Sequence, residues 1–158
     1  MNYRFLLPGK MKEDFLIEGS QEYLKRISKY GKVSVVPLKE ESLPQNPSDG
    51  EIQKALKKEA ERNLKLIKPE EKVVLFDVHG KELDSKQFAS SLKELSMRSG
   101  SIVFLFGSSY GMDDSERKRA DLSVSLSKLT FTHYMAFFLG TEQVYRAIKI
   151  NNGETYDK

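Results

Sequence analysis

Two short apolar runs constrain this chain more than anything else in it: Lys72 to Val78 (KVVLFDV) and Ser101 to Phe106 (SIVFLF). Each is too short for a helix, and each is followed by a helix-start signal. Continuous apolar runs of this length are the mark of strands buried on both faces, as in a parallel sheet covered by helices. Tyr3 to Leu7, Lys32 to Leu38 and Leu122 to Leu126 read as further strands. Pro37 places the second of these at an edge or gives it an early end.

Amphipathic helices alternate with these strands. Residues 12 to 29 carry Phe15, Leu16, Gly19, Tyr23, Leu24 and Ile27 at helical spacing, with one face buried. Ser48 with Glu51, Asp84 with Gln87, and Asp113 with Glu116 are capping-box pairs that start three more helices. The first of these turns Ile52, Leu56, Ala60, Leu64 and Ile67 inward, and the second Phe88, Leu92 and Leu95. Residues 39 to 49 are polar and read as a surface loop. The last helix, from about Tyr134 to Asn151, is apolar on more than one face. Such a helix must be covered on two sides, and a second subunit is the expected cover. The order of elements gives one α/β domain over residues 1–158, a mostly parallel sheet with helices on both faces.

In sheets of this kind ligands sit outside the carboxyl ends of strands. Two loops lie there: Gly107 to Gly111 after the fourth strand, and SLSKLTFTH, Ser125 to His133, after the fifth. The first is neither a dinucleotide fingerprint nor a P-loop. His133 stands at a loop-to-helix junction, where an imidazole can exchange protons near neutral pH. An ordinary hydrogen bond to the backbone explains it as well. Glu142 and Arg146, four apart in an apolar helix, are either an intrahelical pair or a pair that meets a ligand or second subunit. Asp113 and Asp114 are better explained by capping than by catalysis.

The chain has no cysteine, which excludes thiolate catalysis and disulfides. Neither of its two histidines has a partner at metal-ligand spacing, so no metal is expected. No apolar run approaches a membrane span, and a cytoplasmic protein is expected. A net charge of +3 permits a nucleic-acid partner without requiring one.

Several blocks together resemble the ribosomal RNA large subunit methyltransferase H family of the SPOUT superfamily. They are Gly9-Lys10, Glu22-Tyr23 with Arg26, Asp77 to Gly80, Phe106-Gly107 with Gly111, SLSKLTFTH, Glu142 to Ala147, and the tail Gly153 to Tyr156. The likeness spans essentially the whole chain. It implies a C-terminal trefoil knot, a homodimer and S-adenosylmethionine as cofactor. It also implies methyl transfer to N3 of a pseudouridine in 23S rRNA of the assembled ribosome. Carried over by position, Phe76, Gly107, Leu126, Ser127, Lys128, Leu129, Thr130 and Phe131 would hold the cofactor. His133, Tyr156 and Arg146 would serve the substrate edge. The chain departs from the family at Ser108, where many members have a second glycine. It departs again at Phe137, where many carry arginine, and at Asp157, where histidine is common. These departures leave open a non-catalytic, RNA- or ribosome-binding relative. A generic nucleotide-binding module rests on the glycine loop alone.

Overall fold

A computed structural model describes all 158 residues. Five strands, β1 (Asn2–Pro8), β2 (Lys32–Leu38), β3 (Lys72–Glu82), β4 (Ser101–Phe106) and β5 (Leu122–Ser125), form one sheet in the order β2-β1-β4-β3-β5. Every neighbouring pair is parallel. β2 is an edge strand, as Pro37 requires, and β3 and β4 lie inside.

Period-two alternation splits the core. Phe5, Val74, Phe76, Ile102, Phe104 and Phe106 face one side, and Leu6, Val73, Leu75, Val103 and Leu105 the other. The first side is covered by α1 (Asp14–Ile27), α3 (Ser85–Arg98) and α5 (His133–Asn151), with α5 packed between the other two. The second side lies under α2 (Asp49–Lys65) and α4 (Asp114–Arg119). All three capping boxes form, each with both reciprocal hydrogen bonds. Glu41 pairs with Arg62 and ties the 39–49 loop to α2.

One expectation about the helices is corrected. Phe15 sits at a helical position of α1 but is 62% exposed. The buried face of that helix instead runs through Leu16, Ser20 and Ile27. The apolar faces of α5 are met within the chain by α1, α3 and β4. Met135, Phe138, Leu139 and Ile150 of the same helix stay only half-buried.

β3 runs four residues past the expected Val78 because its end pairs again with β5. Phe76 and Lys81 both partner Val124, so residues 77–80 arch out of the ladder. A Cβ at Gly80 would lie 2.6 Å from the Val124 backbone, so only glycine lets β5 pass so close beneath the arch.

Candidate cofactor and substrate site

A cavity of about 750 Å3 opens at the carboxyl ends of β3 and β4. The arch supplies Phe76, Asp77 and Val78, the β4–α4 loop Gly107 to Ser109, and the approach to α5 Thr130 to Tyr134. Glu13, at the N-terminus of α1, closes one side. The volume falls in the range of cofactor pockets, about 300–1,000 Å3. A smaller cavity of about 350 Å3 adjoins it, sharing Phe76 and Phe131 and adding Leu126, Phe88, Leu139 and Gln143.

The β4–α4 loop is held by its own hydrogen bonds. Ser108 N–H donates to the Gly111 carbonyl at 3.1 Å, and Gly111 N–H donates back to the Ser108 carbonyl at 3.0 Å. Gly111 has φ +96°, a left-handed conformation that a side chain would strain. The Ser108 hydroxyl donates to the Gly111 carbonyl at 3.2 Å and accepts from Tyr110 N–H at 3.3 Å. It is thus spent inside the loop. Arg117 is paired with Asp77 at 2.6 Å and with Asp114 at 3.0 Å. The first of these pairs fastens the arch to α4.

The loop between β5 and α5 leaves large apolar side chains in the open: Leu129 is 76% exposed and Phe131 40%, with Val78 of the arch at 53%. Monomers seldom leave such a cluster uncovered at a cavity mouth without a ligand to meet it. Phe76 is buried at the floor, and Leu126 and Ser127 line a third, smaller cavity beside Leu129. Lys128 is exposed and outside the lining of all three. Of the cofactor residues expected from the sequence, Phe76, Gly107, Thr130 and Phe131 therefore line the main cavity. Leu126, Ser127 and Leu129 lie against its extensions.

His133 is the first residue of α5 and half-buried in the cavity wall. Its Nδ1 lies 3.2 Å from Ser109 Oγ, and its Nε2 is buried without a hydrogen-bond partner. Burial holds its pKa below the usual imidazole value, against the opposing pull of Glu40 and Glu13. The ring is therefore mostly neutral at pH 7. Ser109 and Glu13 escaped the sequence reading. A serine in a glycine loop and a glutamate at a helix start carry no signal until the fold sets them beside the histidine.

Arg146 and Tyr156 are elsewhere. Arg146 pairs with Glu142 at 2.6 Å and with Asp157 at 3.0 Å. Its guanidinium lies 4.8 Å from the Tyr156 ring centroid. The Tyr156 hydroxyl donates to Glu142 at 2.8 Å, and its ring meets Tyr145 edge-on at 4.9 Å. Burial first, then the bond to Glu142, push the phenol well above its ordinary pKa. It is a donor, not a base. Arg146 follows His133 by 13 residues of one helix, about 20 Å at 1.5 Å per residue.

The family described as "Predicted SPOUT methyltransferase" matches residues 1–157. The chain belongs to the SPOUT methyltransferase family. Within it, proteins named ribosomal RNA large subunit methyltransferase H share its full length. Those of Levilactobacillus brevis and Carboxydothermus hydrogenoformans are 40% and 38% identical over 159 residues, covering 100% of both chains. A Legionella pneumophila protein described as a "putative methyltransferase", solved with bound S-adenosylmethionine, shares the fold at a TM-score of 0.52 and 12% identity. The match covers 94% of this chain and 66% of that longer one. No three His, Cys, Asp or Glu side chains of this SPOUT protein gather to hold a metal, and no helix is long and apolar enough to cross a membrane.

Proposed function

We propose that the protein transfers a methyl group from S-adenosylmethionine to N3 of a pseudouridine in large-subunit rRNA on the assembled ribosome. The observation that carries this is the full-length family match joined to a cavity built from the three loops at the strand ends. The residues present fit the cofactor. Phe76, Leu126, Leu129 and Phe131 offer apolar surface to an adenine, and Gly107 and residues 127–130 offer backbone groups. The exposure of Leu129 and Phe131 is the mark of a surface meant to be covered. Lys128, whose side chain points away from the lining, contributes its backbone alone. The C-terminal third would be threaded as the superfamily's trefoil knot.

When bound, the cofactor supplies an electrophilic methyl on a positively charged sulfur. The chain's own work is to hold the accepting nitrogen in line with it, to exclude water, and to take the N3 proton. His133, neutral and in the cavity wall, is the proton acceptor. Tyr156, its one hydroxyl hydrogen given to Glu142, offers the base its ring face and an oxygen that can accept from an N–H. Arg146, paired with Glu142 and Asp157 and lying over the Tyr156 ring, acts by positioning Tyr156.

Along α5 the two ends are about 20 Å apart, so they can serve one base only from different chains. We therefore include a homodimer in which the tail of one chain completes the cavity of the other, working in the cytoplasm. Sedimentation at micromolar concentration is expected to show twice 18.1 kDa; a stable monomer would remove the shared site. None of the three departures from the family favours a binding-only relative. Ser108 is absorbed in its loop, Phe137 in the core and Asp157 in an ion pair with Arg146.

The substrate is tested by incubating the protein and cofactor with assembled ribosomes, separated subunits and protein-free rRNA. Nuclease digests are then analysed by mass spectrometry. A methyl group on pseudouridine, from ribosomes only, is expected. Methylation of another base, or of free RNA equally well, would refute the finer assignment.

A further inference from the structure

Neither ring nitrogen of the cavity's one imidazole is both exposed and unpaired. Nδ1 is taken by Ser109 Oγ at 3.2 Å, and Nε2 is buried with no partner. The ring lies tilted against Tyr134, their centroids 3.9 Å apart. Ser109, in contrast, is exposed on the same cavity wall. A proton leaving a substrate in this cavity has one short path to the imidazole, and it runs through the Ser109 hydroxyl.

We propose that Ser109 is a catalytic residue that relays the substrate's N3 proton to His133, an inference that rests on the function proposed above. The pyrimidine N3–H donates to Ser109 Oγ while the Ser109 hydroxyl donates to Nδ1. As N3–H breaks, its electron pair stays on N3. The proton passes to Oγ, and the proton already on Oγ passes to Nδ1. N3 uses its pair to bond the methyl carbon, the carbon–sulfur bond breaks, and that pair remains on sulfur as a neutral thioether. The imidazolium returns its proton to water by the same hydroxyl once the product has left.

The surroundings of the ring suit a transient cation. Glu13 from the start of α1 and Glu40 from the loop after β2 both favour the protonated form, while burial opposes it. Tyr134, the other titratable neighbour, has its phenol pKa raised by burial and stays neutral. The result is an acceptor that is empty at neutral pH and can take a proton for the length of the transfer.

The test compares parent, Ser109→Ala and Ser109→Thr in methyl transfer to ribosomes across the neutral pH range, with cofactor affinity measured by calorimetry. General-base assistance is worth roughly 100-fold or more. Ser109→Ala is therefore expected to lose about that much turnover, with cofactor affinity near the parent's, and Ser109→Thr to recover most of it. In a proton NMR titration His133, one of only two histidines, should move its midpoint in Ser109→Ala. Parent turnover and pH profile in Ser109→Ala would overturn the relay alone. So would a loss confined to cofactor affinity, which would make Ser109 a binding contact. A parent protein that binds cofactor and methylates no ribosome would overturn both the relay and the function beneath it.

Discussion

Phe137→Ala removes a ring that the fold encloses completely. Phe137 is 0% exposed, and its ring meets Phe106 edge-on at 5.0 Å and Phe5 edge-on at 6.0 Å. It is the point where α5 presses on the centre of the sheet, directly beneath the residue that leads into Gly107. Truncation loses the transfer free energy of the ring and leaves a cavity that packed strands cannot collapse into. Phe-to-Ala changes of this kind cost roughly 3–5 kcal/mol. In a domain of this size each kcal/mol shifts the melting temperature by about 2–4 °C, so a fall of roughly 6–20 °C is expected. Urea unfolding followed by circular dichroism gives the free energy, and the slope of the transition should match the parent's. A loss below about 0.5 kcal/mol, the range of ordinary surface changes, would refute the placement of this ring in the core. With it would go the explanation of why phenylalanine stands here.

Three further outcomes follow from the electrostatics. Glu116 is buried against Asn63 and its capping box, and burial raises its carboxyl pKa. The stability linked to this raised pKa is full below about pH 4, the unfolded value, and is lost as pH rises through the folded value. Glu116→Gln, which cannot ionise and keeps one of the two acceptor oxygens that Asn63 and Asp113 N–H use, should flatten that decline in denaturation curves taken at acid and neutral pH. An unchanged decline would assign it elsewhere. Arg4 donates two hydrogen bonds, at 2.8 and 2.6 Å, to the buried Glu71 at the far end of the sheet from the cavity. Arg4→Ala removes the charged partner but leaves the carboxylate its bonds from Lys68 N–H and the Ser101 hydroxyl, and should cost roughly 1.5–3 kcal/mol, with activity per folded molecule unchanged. Asp157→Ala frees one side of Arg146 and loosens the tail. Turnover should fall severalfold while cofactor affinity holds, and equal kinetics would show that the tail is not part of the site.

Much of the architecture was legible because it is local. The three capping boxes are written in adjacent residues, and the alternation of buried strands with amphipathic helices follows from the hydropathy pattern. What periodicity could not show is which surface covers an apolar face. Leu16 and Phe15 look equally apolar in sequence, yet only one turns inward. The apolar sides of α5 suggested a partner, and hydropathy could not tell how much of them α1 and α3 would cover. The arch at residues 77–80 was invisible because it depends on β5 pairing twice with β3 across more than 40 residues. The tail cluster joins Arg146 to Asp157 beyond the end of a helix, where no spacing rule applies. Above all, the contact between Ser109 and His133 is made by two loops that the sheet brings together, and neither loop carries a motif for it. Resemblance supplied the residues expected to hold the cofactor; four of the eight line the main cavity and three more the cavities beside it.

The most direct measurement is transfer of a labelled methyl group from S-adenosylmethionine to ribosomes that lack the modification. Label in large-subunit RNA, absent with His133→Ala that still binds cofactor, is the result predicted here. Cofactor binding without any transfer to ribosomal RNA would contradict it.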